Sequence, residues 1–281
     1  WRHVAGVALT ISSEQLAAVF EELWPIEGAD AWDAPGFSVS HPDLVSKVLL
    51  AVDLNAAVIN EAVHKGAQLV LTHHPFLLKG TQDVNWDSAK GSILQQAIRS
   101  GVSVYAAHTN ADIVEDGVSD ILAKAFGLKD IRPLVATGEA SGHGRIGVLS
   151  ESMTLKDFAT RVLDAIPFTA RGVSVSGYPE VEISTVALCA GAGDSFIQNA
   201  FESGADVYVT SDLRHHPTSD AIAIPRAEAP MALIDISHWA AESLWLNKAA
   251  EQLGKKVPDV EFMVSEVVTD PWTFTINRGE R

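Results

Sequence analysis

Hydrophobic and polar positions along this chain fall into blocks whose period changes, and each change marks an element. From Ser12 onward Leu16, Val19, Phe20 and Leu23 recur at helical spacing, and Ser12 with Gln15 fits a capping box. That helix ends near Trp24-Pro25. The loop Ala31-Trp32-Asp33-Ala34-Pro35-Gly36-Phe37 is dense in turn formers and carries two large aromatics. Lys47 to Val52 reads as a strand, and Asn55 caps a helix that Gly66 closes. Gln68 to Thr72 is a short buried strand. A loop with Gly80 and Asn85-Trp86-Asp87 follows, then a helix from Ser88 to Ser100, a strand from Val102 to Ala106 and a helix from Gly117 to Phe126. Strands alternating with helices predict an α/β fold whose mostly parallel sheet is covered on both faces.

Lys129 to Gly144 breaks this rhythm. Thr137-Gly138-Glu139-Ala140-Ser141-Gly142-His143-Gly144 is small and polar, and reads as a loop or linker. The expected lobes are therefore residues 1–132 and 133–281. Alternation then returns, with strands at Arg145–Leu149, Thr185–Cys189, Asp206–Thr210 and Met231–Ile236. The accompanying helices are expected at Leu155–Ala165, Gly193–Ser203 and His238–Leu253.

The two halves echo one another. Gly66-Ala67-Gln68-Leu69-Val70-Leu71-Thr72 matches Gly204-Ala205-Asp206-Val207-Tyr208-Val209-Thr210. His73-His74-Pro75 follows the first and His215-His216-Pro217 the second, after four extra residues, Ser211 to Arg214. In each half the next strand leads into a histidine with an acid four residues on: His108 with Asp112, and His238 with Glu242. Three features in one order indicate a duplicated α/β unit, hence two similar lobes, each a mixed or mostly parallel sheet flanked by helices.

Composition narrows the function. The 281 residues are 47% hydrophobic and 20% charged, enough for a substantial core. The 36 acidic residues outnumber the 20 basic ones, for a net charge of −16. That balance weighs against a nucleic-acid groove, which needs a basic face. It leaves room for a phosphorylated small molecule, because a bound metal can invert the local field. The single cysteine, Cys189, lies in an apolar run and reads as core packing. No run is long and apolar enough to span a bilayer, since Val48 to Ile59 is interrupted by Asp53 and Asn55. The amino end, Trp1-Arg2-His3-Val4, has no signal-peptide pattern, so a cytoplasmic location is expected.

Candidate chemistry gathers where strands run out. Leu71-Thr72-His73-His74-Pro75 places two imidazoles at a strand end beside a proline that cannot continue the ladder. In parallel α/β folds that rim binds ligands. Successive strand residues point to opposite sides, so two neighbouring ions could take one imidazole each. His238 and Glu242 fall on one helix face, one turn apart. Neutral imidazole with carboxylate suits zinc, iron, manganese or similar ions. Taken alone, that pair reads more readily as an acid favoured by the helix dipole beside a solvated histidine. His108 and Asp112 form the matching pair in what reads as a loop. His215-His216 could be ligands, supports of ligands or substrate contacts, and Asp212 and Arg214 in the same loop could touch substrate. His3, His41, His64 and His143 read as surface or loop residues. Gly191-Ala192-Gly193-Asp194-Ser195 offers backbone N–H groups to an anion or simply makes a tight turn. No Walker loop or Ser/His/Asp triad can be argued.

With these residues in order, the chain resembles the Nif-three-like dinuclear metal-centre proteins, often labelled type 2 GTP cyclohydrolase I. The match covers nearly the whole length. It includes Trp32-Asp33-Ala34-Pro35-Gly36, where the family usually has asparagine for Ala34, then Thr72-His73-His74-Pro75, His108 to Asp112 and Gly117-Val118-Ser119-Asp120. The second half adds Gly191-Ala192-Gly193, Thr210-Ser211-Asp212 (usually Thr-Gly-Asp), and His238 with Glu242. The resemblance implies two divalent ions held between the lobes by His73, His74, Asp112, His238 and Glu242, with Glu242 bridging. It also implies a homohexamer, and the short linker leaves no room for the mid-chain domain some relatives carry. Two functions follow. One is a metal-dependent hydrolase of a nucleotide-like small molecule, with a metal-bound water brought to a pKa of roughly 7 and His108 or His215 shuttling protons. The other is a non-catalytic scaffold that binds or hands on metal.

Overall fold

A computed structural model of the chain describes residues 11–224 and 230–276; the amino-terminal stretch with His3 lies outside them. In chain order the elements are β1 (Ile11–Ser12), α1 (Ser13–Leu23), β2 (Gly36–Val39), β3 (Leu44–Val45), β4 (Lys47–Ala51), α2 (Ala56–Lys65), β5 (Leu69–Thr72), α3 (Ala89–Arg99), β6 (Ser103–Ala106), α4 (Thr109–Asp112) and α5 (Val118–Ala125). Then come β7 (Lys129–Ala136), β8 (Gly142–Thr154), α6 (Leu155–Ala165), β9 (Ser174–Ser176), β10 (Glu182–Ala192), α7 (Ile197–Glu202), β11 (Val207–Ser211), α8 (His215–Ile222), β12 (Ala232–Ile236), α9 (His238–Lys256) and β13 (Glu261–Val264). The local signals act as expected. Ser12 and Gln15 close a capping box on α1, Asn55 caps α2 through the Val58 N–H, and Gly66 ends α2 with a left-handed φ of 70°. Among the described residues no helix is long and apolar enough to cross a membrane.

The contacts divide the chain into two compact units, Trp1–Ala111 with Leu246–Thr269, and Asp112–Trp245 with Asp270–Arg281. This partition differs from the expected break at 132/133, which falls inside β7. The first unit holds a five-stranded sheet in the order β13-β4-β5-β6-β2, parallel except for the antiparallel edge strand β2. Its central strands β5 and β6 are buried along their whole length because both faces are covered. Val58, Ile59 and Ala62 of α2 and Leu94 and Ala97 of α3 pack on Leu49, Val70 and Val104. On the other face Phe20 of α1 lies 5.0 Å from Tyr105.

The second unit holds a six-stranded sheet in the order β7-β8-β10-β11-β12-β9. β10, β11 and β12 are parallel; β7, β8 and β9 enter antiparallel. Ile197 and Ala200 of α7 and Ala221 of α8 pack on Ala187, Tyr208 and Leu233. The Lys129–Gly144 stretch is a correction to the sequence reading. It is not a linker but a β-hairpin, β7 and β8 turning through residues 137–141. Pro133 is tolerated because β7 is an edge strand.

The sequence echo corresponds to a shared topology. β4-β5-β6-β2 and β10-β11-β12-β9 are both three parallel strands closed by one antiparallel edge strand beside the third. His108 lies two residues beyond the end of β6, and His238 two beyond the end of β12.

Candidate metal-binding clusters

In the first unit β5 ends at Thr72, whose Oγ1 donates to the His74 carbonyl at 2.8 Å. The chain bends there, so strict strand alternation does not extend to the histidines. This corrects the expectation that His73 and His74 face apart. Their ring centroids are 5.1 Å apart, and His108 lies 5.2 Å from His73 and 5.5 Å from His74. One ligand nitrogen from each of the three falls within 4.8 Å of the others.

Each of these rings has its Nδ1 against an oxygen acceptor: the Ala107 carbonyl at 3.0 Å for His73, Asp53 at 2.7 Å for His74 and Asp33 at 2.7 Å for His108. A carbonyl or carboxylate can only accept, so Nδ1 carries the proton and the lone pair is on Nε2. Acceptors of this kind fix the tautomer and ring angle of metal-ligating histidines. Asp53 is itself held by the Thr269 hydroxyl at 2.5 Å. Asp33 accepts from the Thr109 N–H at 3.0 Å, the Thr109 hydroxyl at 2.5 Å and the Ala34 N–H at 2.7 Å. Burial alone would raise the Asp33 pKa. The hydrogen bonds from His108, Thr109 and the Ala34 N–H outweigh it and hold that carboxyl at about 2. The exposed Trp32 indole stands edge-on to His108, 5.8 Å between centroids.

In the second unit Ser237 Oγ accepts from the Ala240 N–H and starts α9. His238 and the buried Glu242 then share one helix face, with Nε2 and Oε1 2.8 Å apart. The other ring nitrogen, Nδ1, meets Asp212 at 2.7 Å. Asp212 is the first residue beyond β11 and takes a left-handed φ of 57°. Burial works against a charge on His238, but the Glu242 charge and the Asp212 hydrogen bond overcome it and push its pKa up to about 11. The buried Cys189 thiol is pushed up to about 12, first by burial and then by the charges of Asp112 and Glu242.

Gly191, with φ 76°, explains the Gly-Ala-Gly run. A Cβ there would lie 2.6 Å from Glu242 Oε1 and 3.3 Å from His238 Nε2. The backbone passes directly against the pair, and only glycine leaves room.

His215 and His216 depart from the echo. β11 continues to Ser211, Asp212 turns the chain, and the two histidines become the exposed first residues of α8. His215 lines a cavity of about 250 Å³ with Ser174, Leu213 and Asp235. Arg214 pairs with Asp194. His41 and His64 are partly buried and exposed respectively, while His143 sits in β8 stacked on Phe196 at 5.4 Å. Asp53 and Asp33 were not singled out as partners of the histidines, because neighbours so distant in sequence leave no local pattern. An acid just beyond a strand end is the one signal by which Asp53 could have been found.

Paired or clustered imidazoles and carboxylates beyond the carboxyl ends of parallel strands define a two-unit α/β protein with candidate metal-ligand groups on each unit. Comparison with known proteins places it further. Residues 11–271 match the model of the family described as Duf34/NIF3 (NGG1p interacting factor 3), and the chain belongs to that family. It is 42% identical over 270 residues to a Streptomyces coelicolor protein named GTP cyclohydrolase 1 type 2 homolog, covering 93% of each chain. A Bacillus cereus protein related to NIF3 has the same fold, with a TM-score of 0.88 at 23% identity over 95% of this chain and 100% of that one. Reduced HcgD from Methanocaldococcus jannaschii gives a TM-score of 0.77 at 26% identity, over 92% and 99%.

Proposed function

We propose that the protein is a metal-dependent hydrolase with a dinuclear centre that acts on a small, nucleotide-like molecule. The observation that carries this reading is the adjacent pair His73 and His74, whose Nδ1 atoms are both committed to acceptors, which turns each Nε2 toward the role of metal donor. Neutral imidazole with carboxylate is a donor set suited to zinc, iron or manganese. The names of the relatives, GTP cyclohydrolase 1 type 2 homologs, support the substrate class.

In this reading His73, His74, Asp112, His238 and Glu242 would hold the pair of ions, and the protein works as a homohexamer in the cytoplasm. When bound, divalent ions act as Lewis acids and supply hydroxide near neutral pH. The chain's own groups do the rest. Asp53 and the Ala107 carbonyl orient the two adjacent imidazoles. His108, with Asp33 behind its Nδ1, is built to take and return a proton at Nε2. His215 is the second proton carrier. Five protein ligands leave open positions on two ions, as in a reactive site rather than a closed structural one.

The test is elemental analysis of freshly purified protein combined with turnover of a nucleotide panel that includes GTP, with formate release followed. Activity that disappears in Glu242→Ala while the fold persists is expected. Full metal content with no turnover of any nucleotide would replace the hydrolase with a metal-holding scaffold.

A further inference from the structure

We infer that Arg145, with Ser119 and Asp120 at the start of α5, is a positioning device for the metal-site backbone of the second unit. This deepens the metal-binding reading above and rests on it.

Arg145 is buried in β8, 1% exposed, and spends every N–H it has. Nε donates to Asp120 at 3.0 Å, Nη1 to the carbonyls of Gly142 and Gly144 at 2.8 and 2.7 Å, and Nη2 to the carbonyls of Ile113 and Val114 at 3.3 and 2.6 Å. Five donors meet five acceptors, the full capacity of a guanidinium. Ile113 and Val114 directly follow Asp112, so the fork grips the backbone on which that carboxylate is mounted. The Gly142 N–H closes the same clamp by donating to the Ile113 carbonyl at 2.9 Å. Asp120 also fixes the far end of the loop, accepting from the Asp116 N–H at 2.9 Å.

The neighbouring residue grips the other side. Ser119 Oγ accepts from the Ala190 N–H at 3.2 Å. Ala190 precedes Gly191, the residue whose backbone lies against Glu242 and His238. One turn of α5 thus holds both the loop after Asp112 and the strand end that abuts Glu242. Ion pairing alone does not explain such a choice. A buried ion pair can often be replaced by apolar residues of the same volume at no loss, whereas removing one partner is costly. What the guanidinium adds is a fixed backbone path, since four of its five acceptors are carbonyls.

The experiment titrates zinc, against a competing chelator, into metal-stripped wild type, Arg145→Lys, Asp112→Asn and the double variant, with circular dichroism of each. Lysine keeps the charge and loses the fork. A folded Arg145→Lys should bind zinc 10- to 100-fold more weakly, the range for lost supports of metal ligands. In the Asp112→Asn background the same change should cost little more, because Arg145 acts through Asp112. Wild-type zinc affinity in a folded Arg145→Lys, or fully additive losses in the double variant, would overturn the inference while leaving the metal site standing. If Arg145→Lys does not fold, Ser119→Ala takes its place: weaker zinc binding supports the device, and unchanged binding overturns it. A wild type that binds no zinc defeats the metal reading itself, and this inference with it.

Discussion

A histidine with Nδ1 bonded to an acceptor coordinates through one nitrogen at one angle, so each such ring is a committed donor. His74, backed by Asp53, should matter to metal content far more than His64, which lies exposed on α2. Metal per chain in purified His74→Ala and His64→Ala tests this, with a large loss expected only in the first. Glu242→Gln should lose more metal than Asp112→Asn, since a neutral amide bridges two cations poorly; full two-ion occupancy in Glu242→Gln would remove the bridging role. Asp33 gives a pH signature. Its carboxyl titrates at about 2 in the folded chain against 3.8 ordinarily, so its contribution is present above about pH 4 and is lost as pH falls toward 2. In metal-stripped protein Asp33→Asn should remove on the order of 1–2 kcal/mol at neutral pH and flatten the acid limb between pH 4 and 2. Denaturant midpoints across that range report it.

The elements divide by where their information lies. α1, α2, α3 and α6 were legible because their caps and apolar stripes are local: Ser12, Asn55, Ser88 and Thr154 each accept an N–H three residues on. β2, β9 and β13 were not, because each is at most four residues long and exists only through pairing with a strand far along the chain. β7 hid behind Pro133 and an edge position, and α8 behind the left-handed turn at Asp212. The candidate site divides the same way. His73-His74 and the His238/Glu242 spacing stand out in a linear reading, whereas Asp33, Asp53 and Arg145 acquire partners only when the sheets form. Gly191 offers a test at this scale. Gly191→Ala forces a Cβ within 2.6 Å of Glu242 at a φ of 76°, while Gly204→Ala meets nothing within 4 Å at a φ of 83°. Both should lose about 1–2 kcal/mol from left-handed strain, but only Gly191→Ala should also lose metal, as thermal melts with elemental analysis will show.

At the scale of the molecule, bound metal and folding are linked. Ligand at a hundred times its Kd stabilises the folded state by about 2.7 kcal/mol, so chelator should lower the thermal midpoint of wild type by several degrees. It should do so much less in Glu242→Gln. Scanning calorimetry with and without chelator checks this.

The chain's route through its two units has a consequence for how it is made. The second unit begins at Asp112, and the first takes the chain back at Leu246 to gain β13 beside β4. A ribosome therefore finishes the second unit's sheet at Ile236 while the first unit's sheet still waits for Val264. Until then β4, with Val48, Leu49 and Leu50, is a bare apolar edge open to pairing with a neighbouring nascent chain. Polypeptides released before residue 261 should aggregate through that edge, and the part of the chain born first should be the last to become protected against amide exchange.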